Sequence, residues 1–240
     1  SWNRTECFLS ANGTWDFTKQ AGQRWFMEAA RRRGMNNFLF FTNSAPYFMT
    51  RSGATVAADS KCVNLREDKF DDFARFLVTC AKHFRKKGYG VNYISPLNEP
   101  NGEWHSNSFQ EGTFATKADI FRMVKELDKA IEDEKLNTRI IIPEIGEMKY
   151  LFEIDNNERV PDDIIHSMFY ENGKYSVLGM KNLYNCVAAH DYWTAYPAEL
   201  LVDMRNRVHE AISKNGHDTK FWASEYCILE KNEEITMPSS

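Results

Sequence analysis

The feature that most constrains this chain is an alternation in which short apolar runs of strand length keep giving way to longer stretches carrying one apolar stripe. Residues 5–10 (TECFLS), 37–42 (NFLFFT), 91–96 (VNYISP), 139–143 (RIIIP), 186–190 (CVAAH) and 220–225 (KFWASE) read as strands, mostly of the kind covered on both faces in parallel sheets. Between them, Phe70, Phe73, Ala74, Leu77, Ala81 and Phe84 form one stripe over 68–87. Ile120, Phe121, Val124, Leu127 and Ile131 form another over 117–134, with Thr116 and Asp119 placed as its cap. Pro197 and Gly216 bracket a helix near 198–214, and helices near 19–33 and 162–170 complete the set. A β-α-β-α order with right-handed crossovers leaves two architectures, an open doubly wound sheet or a (β/α)₈ barrel.

Two features favour the barrel. No glycine-rich phosphate loop follows any strand, which removes the usual signature of the doubly wound alternative. Polar groups also end almost every strand: Asn43-Ser44, Asn98-Glu99, Glu144, His190-Asp191 and Glu225-Tyr226. In a barrel these emerge together on the C-terminal rim, where such enzymes build their sites. The expected fold is therefore an α/β TIM barrel. Six strands fall short of the eight a closed ring needs, so the reading is of an incomplete barrel, strands about 2 to 7, in one catalytic domain over 1–230. The acidic tail, 231–240, is expected to be solvated.

Charge and composition narrow the partners. A net charge of −4 and a pI near 5.9 give no global attraction to nucleic acid or anionic membranes. The basic runs Arg31-Arg32-Arg33 and Arg85-Lys86-Lys87 each precede a glycine and suit helix C-termini. Five scattered cysteines, Cys7, Cys62, Cys80, Cys186 and Cys227, make neither a disulfide framework nor a zinc knuckle. The histidines include no H-E-x-x-H, so no metal or other cofactor is expected. No run is long enough for a membrane span, no signal pattern opens the chain, and the sequons at Asn3 and Asn12 carry little weight.

The stretch VNYISPLNEP ends an apolar strand in Asn98 and Glu99 and fixes them with Pro100. Glu225 ends a strand three further along, which in an eight-stranded ring puts the two carboxylates on facing walls of the mouth. Glycoside hydrolysis uses such a pair, one acid to protonate the leaving oxygen and one carboxylate to attack the anomeric carbon. A lone strand-end glutamate is more often a solvated turn residue; Asn98 and Trp104 beside it shift the balance.

At these residues the sequence resembles a known family. ISPLNEP looks like the acid/base motif of the retaining (β/α)₈ glycosidases, in which Asn-Glu closes the fourth strand and a second Glu the seventh. Gly22-Gln23-Arg24, FFTNSAPYFMT (40–50), NLREDKFDDFARFLV (64–78), ISPLNEPNGEW (94–104), AAHDYWTAYP (188–197) and FWASEY (221–226) follow, in order, the pattern of glycoside hydrolase family 30. Within it the chain is most similar to the endo-β-1,6-galactanase branch. The resemblance implies a retaining glycosidase acting on a β-linked polysaccharide or oligosaccharide, with Glu99 as acid/base, Glu225 as nucleophile and Asn98 on the sugar 2-hydroxyl. An extracellular or periplasmic location follows from such a substrate. Sugars present flat C–H faces to aromatic rings, so Trp104, Tyr192, Trp193, Tyr226 and Tyr47 are candidate substrate contacts, with Asn43 and His190 as polar ones. Ala45 and Phe48 stand where many relatives carry Pro and Trp, so the subsite near Asn43 departs from the family pattern. The competing reading is a non-catalytic carbohydrate-binding protein on the same scaffold; such a binder has no use for two opposed carboxylates.

Overall fold

Five of the apolar runs assemble into one parallel sheet in the computed structural model of the chain, which describes residues 6–108, 110–154 and 162–227. The strands are β1 (Phe38–Phe41), β2 (Val91–Ser95), β3 (Arg139–Ile145), β4 (Leu183–His190) and β5 (Lys220–Glu225), each hydrogen-bonded to the next in chain order. The helices are α1 (Ala21–Arg32), α2 (Phe70–Lys86), α3 (Lys117–Asp133), α4 (Ile164–Phe169) and α5 (Ala198–Ser213). A doubly wound sheet would reverse strand order at a switch point. Here the order never reverses, and the sheet is an arc of a (β/α)₈ barrel.

The two faces of the arc differ in what they bury. Ile94, Ile140, Ile142, Val187 and Ala189 turn outward and pack with the stripes of α2 and α3, including Phe70, Phe73, Leu77, Ile120, Leu127 and Ile131. The inner face carries Ile141, Cys186 and Ala188, flanked by Leu39, Tyr93, Tyr184 and Trp222. Full burial of Leu127 or Ile131 stabilises the sheet–helix layer by roughly 1.5–3 kcal/mol each. Arg31 and Arg32 occupy the last turn of α1, and Arg85 and Lys86 that of α2, with Gly34 and Gly88 following in left-handed conformations. Helix α1 buries none of its residues, and its Trp25 and Phe26 stand 65% and 71% exposed.

One expected strand does not form. Among the described residues of 5–10, Leu9 makes a single antiparallel bridge to Trp15 across a turn closed by Gly13. Phe8 instead packs its ring against Phe17 and Phe84, so the segment caps helix α2 and adds nothing to the sheet. Aromatic burial wins over ladder formation there, and the sheet has five strands where six were read. The expected tail lies outside the described residues, as does residue 5.

Candidate active site

Two register slips and one left-handed residue past a strand end bring the polar groups together. Alternation along β3 turns Ile140 and Ile142 to the helices and Ile141 to the inner face. Regular pleating would send Glu144 outward with them. The register slips between Pro143 and Ile145, and Glu144 takes a left-handed φ of 59°, which re-aims its side chain inward, as bulges near functional sites do. A second slip on β4–β5 pairs His190 with Glu225 and leaves Ser224 as the extra residue, its hydroxyl donating to Glu144. Glu99 itself has φ 44° just beyond β2. Its N–H donates to the Glu144 carbonyl at 2.9 Å, and its own carbonyl accepts from Gly102 N–H and Trp104 Nε1–H, both at 2.8 Å. Left-handed backbone at non-glycine residues costs about 1–3 kcal/mol, sustained only where neighbours over-determine it; those three bonds do so at Glu99.

The result is a histidine among three carboxylates. His190 is fully buried; its Nδ1 lies 2.9 Å from Glu99 Oε1 and 3.5 Å from Glu225 Oε2. Its Nε2 faces Glu144 Oε2 at 3.5 Å, an ion-pair separation too long for a good hydrogen bond. Burial alone pulls the imidazole down, but Glu144, Glu99 and Glu225 outweigh it and carry its pKa up to about 9. Tyr192 donates its hydroxyl to Glu225 Oε2 at 2.8 Å, and burial together with that carboxylate pushes the phenol's own ionisation well up. One atom each from Glu99, His190 and Glu225 lies within 4.8 Å of the others, a spacing that could surround a cation. A metal would need a lone pair on His190 Nδ1, the atom that lies 2.9 Å from Glu99 Oε1, and acid/base chemistry between carboxylates needs no metal.

The other expected residues divide. Asn98 is 3% exposed beside Glu99, and its Oδ1 has no hydrogen-bond partner among the described residues. Trp193 and Tyr226, just past β4 and β5, are 59% and 55% exposed, and Tyr47 beyond β1 is exposed too. Trp104 differs from expectation. It is buried, Gly102 and Gly112 lie so close to its ring that neither could carry a Cβ, and its indole holds the Glu99 carbonyl, so it buttresses the carboxylate and offers no face to a sugar. Asn43 borders a small pocket with Ala45, Leu65 and Phe73, and no hydrogen bond joins it to Glu99 or Glu225. Sequence reading passed over Glu144 as a site residue although it named it as a strand end, and missed Gly146, whose Cα faces the Glu99 carboxyl. A separate cleft of about 560 Å³ opens where β2 to β5 begin, lined by Tyr93, Arg139, Tyr184 and Lys220. It lies at the end of the strands opposite the carboxylates, where barrels do not build catalytic sites.

Comparison with known proteins bears on this geometry. The family model described as O-glycosyl hydrolase family 30 matches residues 1–237. A conserved exported protein from Bacteroides fragilis is 74% identical with a TM-score of 0.96, over 100% of this chain and 49% of that one. The catalytic domain of a family 30 xylanase C from Talaromyces cellulolyticus shares the fold at 17% identity and a TM-score of 0.56, over 78% of this chain and 40% of that one. An exo-β-1,6-galactobiohydrolase from Bifidobacterium longum subsp. longum is 33% identical over 89 residues, 35% of this chain and 6% of that protein. The chain thus spans about half the length of the Bacteroides protein and a small part of the galactobiohydrolase.

Proposed function

The chain belongs to O-glycosyl hydrolase family 30, and from that premise we propose that it carries the catalytic pair of a retaining β-glycosidase, Glu99 as acid/base and Glu225 as nucleophile. The observation that carries the reading is the approach of the two carboxylates, with oxygens inside 4.8 Å at the C-terminal ends of β2 and β5. Retaining enzymes place the pair about 5–5.5 Å apart, whereas inverting ones need about 6.5–9.5 Å to admit a water.

In the first step Glu225 attacks the anomeric carbon while Glu99 gives its proton to the departing glycosidic oxygen, leaving a glycosyl ester on Glu225. In the second, Glu99 takes a proton from water, which displaces Glu225 and releases the sugar with its β configuration. Tyr192 holds the attacking carboxylate in place from one side. The unpaired Asn98 Oδ1 suits a sugar 2-hydroxyl donor, a contact that strengthens as the ring flattens toward the oxocarbenium ion. Exposed Trp193, Tyr226 and Tyr47 offer ring faces near the strand ends.

For the sugar, the β-1,6-galactobiohydrolase similarity supports a β-1,6-linked galactan or galactooligosaccharide. Likeness to an exported protein at 74% identity supports a place outside the cytoplasm, and no described helix is long and apolar enough to cross a membrane. Glu225→Gln tests the reading: turnover of a β-1,6-galactooligosaccharide should fall by about 10³-fold or more with binding retained. Wild-type turnover by that variant, or binding without turnover in the wild type, would overturn it.

A further inference from the structure

We propose that Glu144 is a positioning residue that keeps His190 as an imidazolium, so that one buried cation is shared between Glu99 and Glu225. The inference rests on the glycosidase reading above and adds a side chain that acts through another: the Glu144 backbone carbonyl accepts the Glu99 N–H, but no hydrogen bond joins its carboxylate to that of Glu99 or Glu225.

The argument begins with burial. Glu144 is fully buried, and a buried ionised carboxylate persists only when paired. Its Oε2 receives the Ser224 hydroxyl, its Oε1 has no hydrogen-bond partner, and no lysine or arginine among the described residues pairs with it. The cation it faces is His190, at 3.5 Å on the ring nitrogen turned away from Glu99. The fold pays strained backbone at Glu144 and a slipped register on either side of it to aim this carboxylate inward. A core position with no other duty would be filled more stably by an isoleucine, as at Ile140 to Ile142.

The groups facing His190 come from every neighbouring strand. Glu99 approaches from β2, Glu144 from β3 and Glu225 from β5, while Phe41 of β1 brings only a tilted ring at 6.4 Å. Tyr192 lies edge-on at 5.6 Å with its hydroxyl committed to Glu225. Asp191 pairs with Arg205 at 2.6 Å. Cys186, near Glu144, is pushed up to about 12 and stays neutral. With Glu99 carrying its catalytic proton, the cluster holds two carboxylates against one imidazolium. In the glycosidase reading that net negative charge favours the positive charge that develops at the anomeric carbon. If Glu144 were absent, His190 Nδ1–H would still reach Glu99, but the ring would fall toward neutrality and its attraction for Glu225 would weaken.

The test is the ring ¹⁵N titration of His190 by NMR in the full chain, wild type against Glu144→Gln and Glu144→Asp. His190 should deprotonate near pH 9 in the wild type. The midpoint should drop by about 1–3 pH units in Glu144→Gln and by less in Glu144→Asp, which keeps the charge. With nitrophenyl β-galactoside, whose good leaving group makes little demand on Glu99, the alkaline limb of kcat should move to lower pH in Glu144→Gln by the same amount, with KM nearly unchanged. A folded Glu144→Gln with the wild-type midpoint would overturn the proposal, as would a wild-type midpoint near 6.5. A wild-type midpoint near 6.5 overturns it even if Glu144→Gln does not fold, and Glu144→Asp then supplies the comparison. An inactive Glu225→Gln beside an unmoved His190 midpoint rejects this inference alone. An active Glu225→Gln rejects the glycosidase reading whatever His190 does.

Discussion

At Glu99, backbone and side chain are fixed by different partners, and the division explains which changes nearby should matter. Trp104 and Gly102 hold the carbonyl, Glu144 holds the N–H, and His190 holds the carboxylate. Gly146 forms the floor beneath: a Cβ there would stand 3.1 Å from Glu99 Oε1 and 3.2 Å from its carboxyl carbon. Gly146→Ala should therefore tilt the carboxyl away from the oxygen it is proposed to protonate without disturbing the core. Hydrolysis of an unactivated disaccharide should slow about 10–100-fold, a nitrophenyl glycoside much less, and the melting temperature should barely move. Equal losses on both substrates would argue against Glu99 as the acid. The sequence made Glu99 and Glu225 legible because each ends an apolar run, but not Trp104's role. An indole beside a strand end looks the same whether its ring faces solvent or two glycines.

Elements were read from periodicity, and they succeeded where burial and local chemistry agree. Thr116 and Asp119 form the full capping box at the start of α3, each side chain accepting from the other's backbone N–H. Thr116→Ala removes one of those bonds and should cost about 1 kcal/mol in urea unfolding with the unfolding slope unchanged. No loss would mean the helix end is fixed by packing alone. The same periodicity misread TECFLS, because nothing local distinguishes an apolar run that pairs from one that packs on α2. It was also blind to the slips at Glu144 and Ser224. A bulge changes no residue type, only the face to which each side chain points, so the carboxylate closest to His190 Nε2 was hidden in a strand that reads as plain core.

For the molecule as a whole, strand order carried the fold. Five parallel neighbours in unbroken chain order form an arc whose C-terminal edge gathers Glu99, Glu144, His190 and Glu225, although 126 positions separate the first from the last (225 − 99). The arc spans about half the length of its Bacteroides counterpart, and the family 30 match runs across all of it. The central claim, that this edge performs double displacement, predicts a stereochemical outcome that no fold-level similarity fixes. The direct measurement is the anomeric configuration of the first sugar released from a β-1,6-galactooligosaccharide, followed by proton NMR before mutarotation. The β anomer is expected if Glu225 attacks within 4.8 Å of Glu99. Initial release of the α anomer would contradict a covalent intermediate on Glu225.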